Sequence, residues 1–405
     1  MMKKTAYTRS RQAKLLAAVA LTLTSVSAYA IPGDGFSANL GFDYIHDNNV
    51  FRLPGNVSPA SVGITTKDKR SDDIYMTTLG GSFDKRISLQ EVHLKATYID
   101  NRFSEYSDFN NHNIDYSALW NWRLGRLFSG ELSYSQDEFT SNFGDTRTNG
   151  PNVRRDKRAA GSVYFEFAPR WEVFVGASQL KGDNSRNDFT SGNIKYDIVE
   201  GGLRFSISDA TKVRLLYRNT DGDYPNQVAG SSYKFKQHDY EANGSWQVTG
   251  KSNLIGAIAY SKRDYDFQPQ FNFSGVTGSL AWDYVLSGTT SFRFDIGRDL
   301  YGIQDLTSAY ILTDRYGVAV TYLLTSKITL TGLADKRNRS YRGNSNFAGS
   351  IGREDDTKAY QLTASYNALR NLNLGLYVRK EDRNSNNPLF EYNDRTIGAR
   401  VGYTF

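Results

Sequence analysis

The last twelve residues of the chain, Asp394 to Phe405, alternate apolar and polar side chains and end on an aromatic residue. Drawn as a strand, this segment carries Ile397, Ala399, Val401, Tyr403 and Phe405 on one face and Gly398, Arg400, Gly402 and Thr404 on the other. A strand wall between lipid and water must change polarity at every residue, which is the pattern of a membrane-barrel strand. The edge strand of a soluble sandwich has the same period, so the inference depends on whether the pattern recurs.

It recurs from Phe36 onward in about eighteen segments of roughly ten residues each. The clearest sets Ile114, Tyr116, Ala118, Trp120, Trp122 and Leu124 against Asp115, Ser117, Asn121 and Arg123. Others set Phe292, Phe294 and Ile296 against Arg293 and Asp295, and Val199, Leu203, Phe205 and Ile207 against Glu200, Arg204 and Ser206. The connections alternate in length. Tight hairpin turns fit Gly125-Arg126, Pro169, Ser208 to Ala210, Thr249-Gly250, Ser287-Gly288 and Ser326. Polar stretches at 46–72, 100–113, 137–158, 181–195, 220–236, 263–272, 300–308, 337–356 and 381–393 form the long connections. So many strands exceed one simple sandwich, and regular short-long alternation belongs to outer-membrane barrels. The expected fold is all-β: a single transmembrane antiparallel barrel of about 18 strands (range 16–18), with both termini periplasmic.

The amino-terminal region sets the compartment. Lys3, Lys4, Arg9, Arg11 and Lys14 precede an apolar run from Leu15 to about Val26, and Ala28-Tyr29-Ala30 fits a small-x-small cleavage site. Residues 1–30 are therefore expected to be a signal peptide and 31–405 an outer-membrane β-barrel. Loss of the five leader charges takes the 49 basic residues to 44 against 43 acidic ones, so net charge gives no reason to expect nucleic acid as a partner. The absence of cysteine removes any need for oxidative folding and any lipid-anchoring cysteine. A content of 27 Tyr, 23 Phe and 35 Gly with only 8 Pro suits a wall girdled by aromatics at both interfaces.

Catalysis has little support. There is no Gly-x-Ser-x-Gly elbow, and His46, His93, His112 and His238 are scattered without metal-like spacing. We expect no enzyme activity, cofactor or metal. Asp47, Asn48 and Asn49 carry oxygen ligands that suit a hard cation, but a turn nucleated by their side chains accounts for them better. Arg154, Arg155, Lys157 and Arg158, in the 137–158 connection, suit either contact with lipopolysaccharide phosphates or simple solvation. On the lumen face, two groups lean positive: Arg204 with Lys212 and Arg214, and Arg379 with Arg400. With Arg293, these six residues are the candidate pathway for an anionic polysaccharide or ion.

The stretch Asp47-Asn48-Asn49-Val50-Phe51-Arg52-Leu53-Pro54, with Ser88-Leu89-Gln90 through Tyr98, Trp120 to Gly125 and Ser129 to Leu132, resembles the EpsL-type barrel porins encoded with exopolysaccharide genes. The motifs cover the first third of the chain. The resemblance implies export of an exopolysaccharide across the outer membrane, with no catalytic site. Its implied partners are periplasmic export and inner-membrane synthesis proteins, beside the barrel assembly machinery, outer-membrane lipid and lipopolysaccharide. The alternative from the architecture alone is a general or oligosaccharide-selective uptake porin.

Overall fold

A computed structural model describes residues 35–405 apart from 209, 229, 231, 302–307 and 344–351. The leader and its cleavage site near Ala30 lie outside the described residues. Eighteen strands follow one another: β1 (Gly35–Asp47), β2 (Asp72–Ile87), β3 (Gln90–Phe103), β4 (Asn111–Leu124), β5 (Phe128–Thr140), β6 (Val153–Ala168), β7 (Trp171–Asn184), β8 (Ile194–Ser206) and β9 (Lys212–Asp223) form the first half. The second half is β10 (Phe235–Thr249), β11 (Ser252–Tyr265), β12 (Phe273–Val285), β13 (Thr290–Tyr301), β14 (Ser308–Leu323), β15 (Ile328–Gly343), β16 (Glu354–Asn367), β17 (Leu372–Ser385) and β18 (Tyr392–Thr404). Each pairs antiparallel with its neighbours in sequence, and β1 pairs with β18 from Asn39 opposite Thr404 to Asp47 opposite Thr396. The Phe405 amide donates to the Ala38 carbonyl at 2.8 Å, which extends the seam to the last residue.

The outer face is apolar and exposed. Val175, Ile258, Leu362 and Leu376 each keep 60% or more of their surface open, a density of exposed aliphatics that water does not tolerate and lipid requires. Aromatic residues border this band. On β10, Tyr240 and Trp246 are both exposed on the outer face, six residues or ~20 Å apart along the strand, and Trp171 stacks on Phe205 with ring centres 4.4 Å apart near the short turns. The inward face carries the polar residues, with cross-strand ion pairs such as Arg204 with Glu172 and Arg400 with Asp43.

Pairing extends beyond the alternating segments at the long-loop end. The expected connections 137–158, 337–356 and 381–393 shrink to 141–152, 344–353 and 386–391, because β5, β6, β15, β16 and β17 run on past the lipid. Above the bilayer the outer face no longer has to be apolar, so the hydropathy period fades while the hydrogen-bond ladder continues. Arg154, Arg155, Lys157 and Arg158 accordingly lie on β6 rather than in a loop. Arg154 pairs with Asp156 at 2.8 Å and Arg155 with Glu138 at 2.6 Å, so these two are strand residues with protein partners.

Both Gly35 and Thr404 lie at the short-turn end. Close strand approach imposes glycine at Gly202, where a Cβ would stand 2.0 Å from the Leu215 carbonyl oxygen on β9. Gly202→Val therefore forces β8 and β9 apart, and the detergent-refolded variant is expected to lose the heat-modifiable folded band on gels that the wild type shows.

Candidate functional site

The connections at the long-loop end fold over the barrel mouth. After β1, Asp47 accepts a hydrogen bond from the Asn49 amide at 2.8 Å, and the Asn49 side chain closes on Leu53 in both directions, at 2.9 and 3.0 Å. This side-chain-nucleated turn accounts for the Asp47–Asn49 stretch, and Arg52 clamps it to Asp47 at 2.8 Å and to Asp394 at 3.1 Å. The turn buries Phe51 and Leu53. Phe51 packs edge-on against Tyr106 and Phe109, from the β3–β4 connection, and against Phe143, from the β5–β6 connection, with ring centres 4.8–5.2 Å apart. Three loops thus share one aromatic core.

Beyond Phe143 the β5–β6 connection crosses to another part of the wall. Asn142 caps a tight turn, accepting from the amide of Gly144 at 2.8 Å on its side chain and from those of Asp145 and Thr146 on its carbonyl. The turn presents Asp145 to β15, β16 and β17, which are separated from β5 by β18 and β1 to β4 in the closed strand order. One carboxylate oxygen lies 2.7 Å from Arg383 Nη1 and 3.0 Å from Arg353 Nη2, and the other lies 3.2 Å from Arg339 Nη1. Arg383 also donates to the Gly144 carbonyl at 3.1 Å. All three arginine side chains are 2% exposed, so the network is shielded from water and from salt. Arg147, from the same loop, lies over the Phe390 ring at 5.3 Å.

The electrostatics follow from this packing. Burial raises the Asp145 carboxyl, but attraction to Arg383, Arg339 and Arg353 outweighs it and holds the group far below the usual carboxylate range. Burial, with repulsion from Arg353 and Arg383, pushes the Arg147 guanidinium down to about 10. Asp355, 2.6 Å from Arg353 and 3.7 Å from Arg383, adds a second carboxylate to this cluster, the Asp145 latch.

Below the latch runs a charge ladder on the inward side of β15 to β18. Glu381 accepts from Arg337 at 3.0 Å, from Arg379 at 2.5 Å and from the Tyr392 hydroxyl at 2.6 Å. The six residues singled out from sequence divide as follows. Arg204 and Arg214 stand directly opposite each other on β8 and β9. Arg204 pairs with Glu172 and lies 4.3 Å over the Tyr164 ring, while Arg214 donates to Asn243 at 2.9 Å. Lys212 is exposed at the short-turn end, two positions along from that pair. Arg293 bridges Asp283 at 2.8 Å and Asp295 at 3.3 Å. Arg379 and Arg400 both point inward, as their alternation with the exposed Leu376, Val378, Ile397 and Val401 requires. They do not form a pair: Arg379 is opposite Thr396 and Arg400 opposite Gly375, ~13 Å apart along the strands, and Arg400 has its own partner in Asp43. The sequence reading missed the latch arginines because they fall in stretches expected to be loops. The period-2 series Arg337-Arg339-Tyr341 and Arg379-Glu381-Arg383 was the signal available for placing them on one face.

The four histidines do not converge. His46 contacts Asp73 at 2.8 Å, His93 contacts Asp84 at 2.5 Å, His238 shares a hydrogen bond with Tyr217 at 2.6 Å, and His112 stacks on Tyr98. Among the described residues no three His, Asp or Glu side chains form a metal-like group.

Residues 254–405 match the family model described as "Putative beta-barrel porin 2". The motifs that resemble EpsL-type proteins lie in the first third, outside that match. No curated protein matches the chain. Among solved structures, the chain is similar to OccAB3 of Acinetobacter baumannii, with 8% identity, a TM-score of 0.49 and coverage of 91% of this chain and 99% of that one. It is also similar to OprD of Pseudomonas aeruginosa (11%, 0.49, 92% and 96%) and to the outer-membrane protein OpdK of the same organism (11%, 0.48, 92% and 98%).

A carboxylate whose pKa is depressed in the folded protein contributes stability that is present above its unfolded pKa and lost only as pH falls through the folded value. The Asp145 latch is therefore expected to hold unchanged from pH 8 to pH 5. Removing one partner of a buried ion pair costs about 3–5 kcal/mol. Hydrogen exchange of loop 141–152, corrected for intrinsic rates, should stay flat over that range in the wild type and accelerate by about two to four orders of magnitude in Asp145→Asn.

Proposed function

We propose that this chain is an outer-membrane porin through which small hydrophilic solutes diffuse, with its termini in the periplasm. The observation that carries the reading is the closed wall itself: its exposed apolar side fits lipid, its inward side is lined by paired charges, and one loop is drawn over the mouth. The porin family match over 254–405 supports it. A loop tied at the mouth by Asp145 suits intermittent passage of small solutes. A growing polymer would need the latch to stay broken throughout transit.

Exopolysaccharide export remains the second reading, favoured by the resemblance around residues 47–54. Packing provides a separate reason for those residues, since Asp47, Asn49, Phe51 and Leu53 are buried and organise the first loop. A clean deletion separates the two. Unchanged surface polysaccharide together with slowed sugar uptake supports the porin, and lost polysaccharide supports export.

In planar bilayers the refolded barrel is expected to conduct ions in discrete steps, and Asp145→Asn should raise the single-channel conductance. A membrane that stays silent at any protein load would overturn the porin reading. Replacing Arg379 and Arg400 together with Gln removes two inward positive charges while leaving Glu381 its 3.0 Å contact with Arg337. The expected result is a reversal-potential shift toward cation selectivity, read on protein that still shows the heat-modifiable folded band.

A further inference from the structure

The outer face of β14 to β18 differs at its two borders. At the short-turn end Tyr322, Leu330 and Tyr366 are exposed to the outside, and the basic residues there, Lys327 and Arg370, lie in turns. At the long-loop end four cations share the outward parity of the exposed Tyr360, Leu362, Val378 and Ile397. Lys336 stands opposite Lys358, and Lys380 stands opposite Arg395, two residues or ~7 Å nearer the apolar band. Two carboxylates join them: Asp356 pairs with Lys336 and Asp382 with Lys380, each at 2.9 Å. Asp314 on β14 is already held by Arg298 on β13 at 2.6 Å. Lys358 and Arg395 make no ion pair with any described residue. Like charges opposed across a ladder repel, so this border is stabilised by an anion from outside the chain.

Directly below the cations the wall is grooved. Gly332 and Ala334 on β15 lie between Val320 and Val318 on β14 and Leu362 and Tyr360 on β16, so a strand with small outward side chains runs between two with larger ones. The groove encloses about 690 Å³, and Lys380 and Arg395 line it together with these apolar residues. One recess thus offers an apolar floor facing lipid and cations at its upper end.

We propose that this groove binds the lipid A part of lipopolysaccharide, with a sugar phosphate held by Lys358, Lys380 and Arg395 and an acyl chain laid over Gly332 and Ala334. Clustered Lys and Arg beside the hydrocarbon band recognise anionic headgroups, and phosphate oxygens accept charge-assisted hydrogen bonds from both residue types. A phosphate monoester carries about −1.5 to −2 charges at neutral pH, more than the phosphodiester of a phospholipid, and so suits two cations that lack ion-pair partners. Assignment to the outer leaflet rests on the reading above in which the termini are periplasmic, whereas binding is measured without reference to orientation or conduction.

Diphosphoryl lipid A and phosphatidylglycerol are titrated into the detergent-refolded full barrel and bound lipid is read by native mass spectrometry, with folding of each variant checked by heat-modifiable migration. The wild type is expected to bind lipid A at least tenfold more tightly than phosphatidylglycerol. Lys358→Gln with Arg395→Gln should weaken lipid A binding at least tenfold. Gly332→Leu, which fills the groove and leaves every charge in place, should also weaken it, and Ala334→Leu serves if that variant does not fold. Lys236→Gln with Lys262→Gln removes two exposed cations from β10 and β11 and should leave binding within about twofold of the wild type. Equal affinity for the two lipids, unchanged lipid A binding in the charge variant or the groove variant, or an equal loss in the β10–β11 variant overturns the proposal. A barrel that binds lipid A but never conducts retains the site and loses the porin reading, and one that conducts without preferring lipid A does the reverse.

Discussion

Every backbone amide and carbonyl inside a bilayer must find its partner within the protein, and for a sheet this is possible only by closure. The pairing of β1 with β18, carried through to the Phe405 amide, is where that condition is met. Once the ring is closed the strands have no free edge, the apolar residues face outward, and the side chains of the other parity face a common interior. The inward charges then lie at close quarters around one interior and pair with one another. The pairing of Arg204 with Glu172, Arg293 with Asp283 and Asp295, and Arg400 with Asp43 is the consequence.

Deeper burial sets the latch apart from these pairs. In water an exposed Asp–Arg contact contributes little, but a carboxylate set among three arginines that are 2% exposed is held by charges with few competitors. The loop is fixed at two points of different character: Phe143 in a shared aromatic core and Asp145 in an ionic cluster across the mouth. The aromatic anchor depends on burial and is indifferent to charge. The ionic one depends on charge, and it ties the loop to strands on another part of the wall.

Much of the fold was legible because lipid imposes a local rule. Each strand had to show its alternation within its own ten residues, so all eighteen segments, the short turns and the inward direction of Arg379 and Arg400 could be read without tertiary information. Where the lipid stops, that rule stops too. The extensions of β5, β6, β15, β16 and β17 carry polar residues on both faces, and Arg154, Arg155, Lys157 and Arg158 therefore read as loop although they lie on β6.

The sequence by itself determined the wall, since hydropathy of period two is a property of each segment alone. Only the tertiary structure decided the neighbours. The offset between Arg379 and Arg400 is set by the register of β17 against β18, which alternation leaves free by any even number of residues. The meeting of Asp145 with Arg339, Arg353 and Arg383 joins residues 194 to 238 positions apart. No local pattern encodes that meeting, because it follows from ring closure bringing the last strands beside the first and from the path a loop takes over the enclosed space.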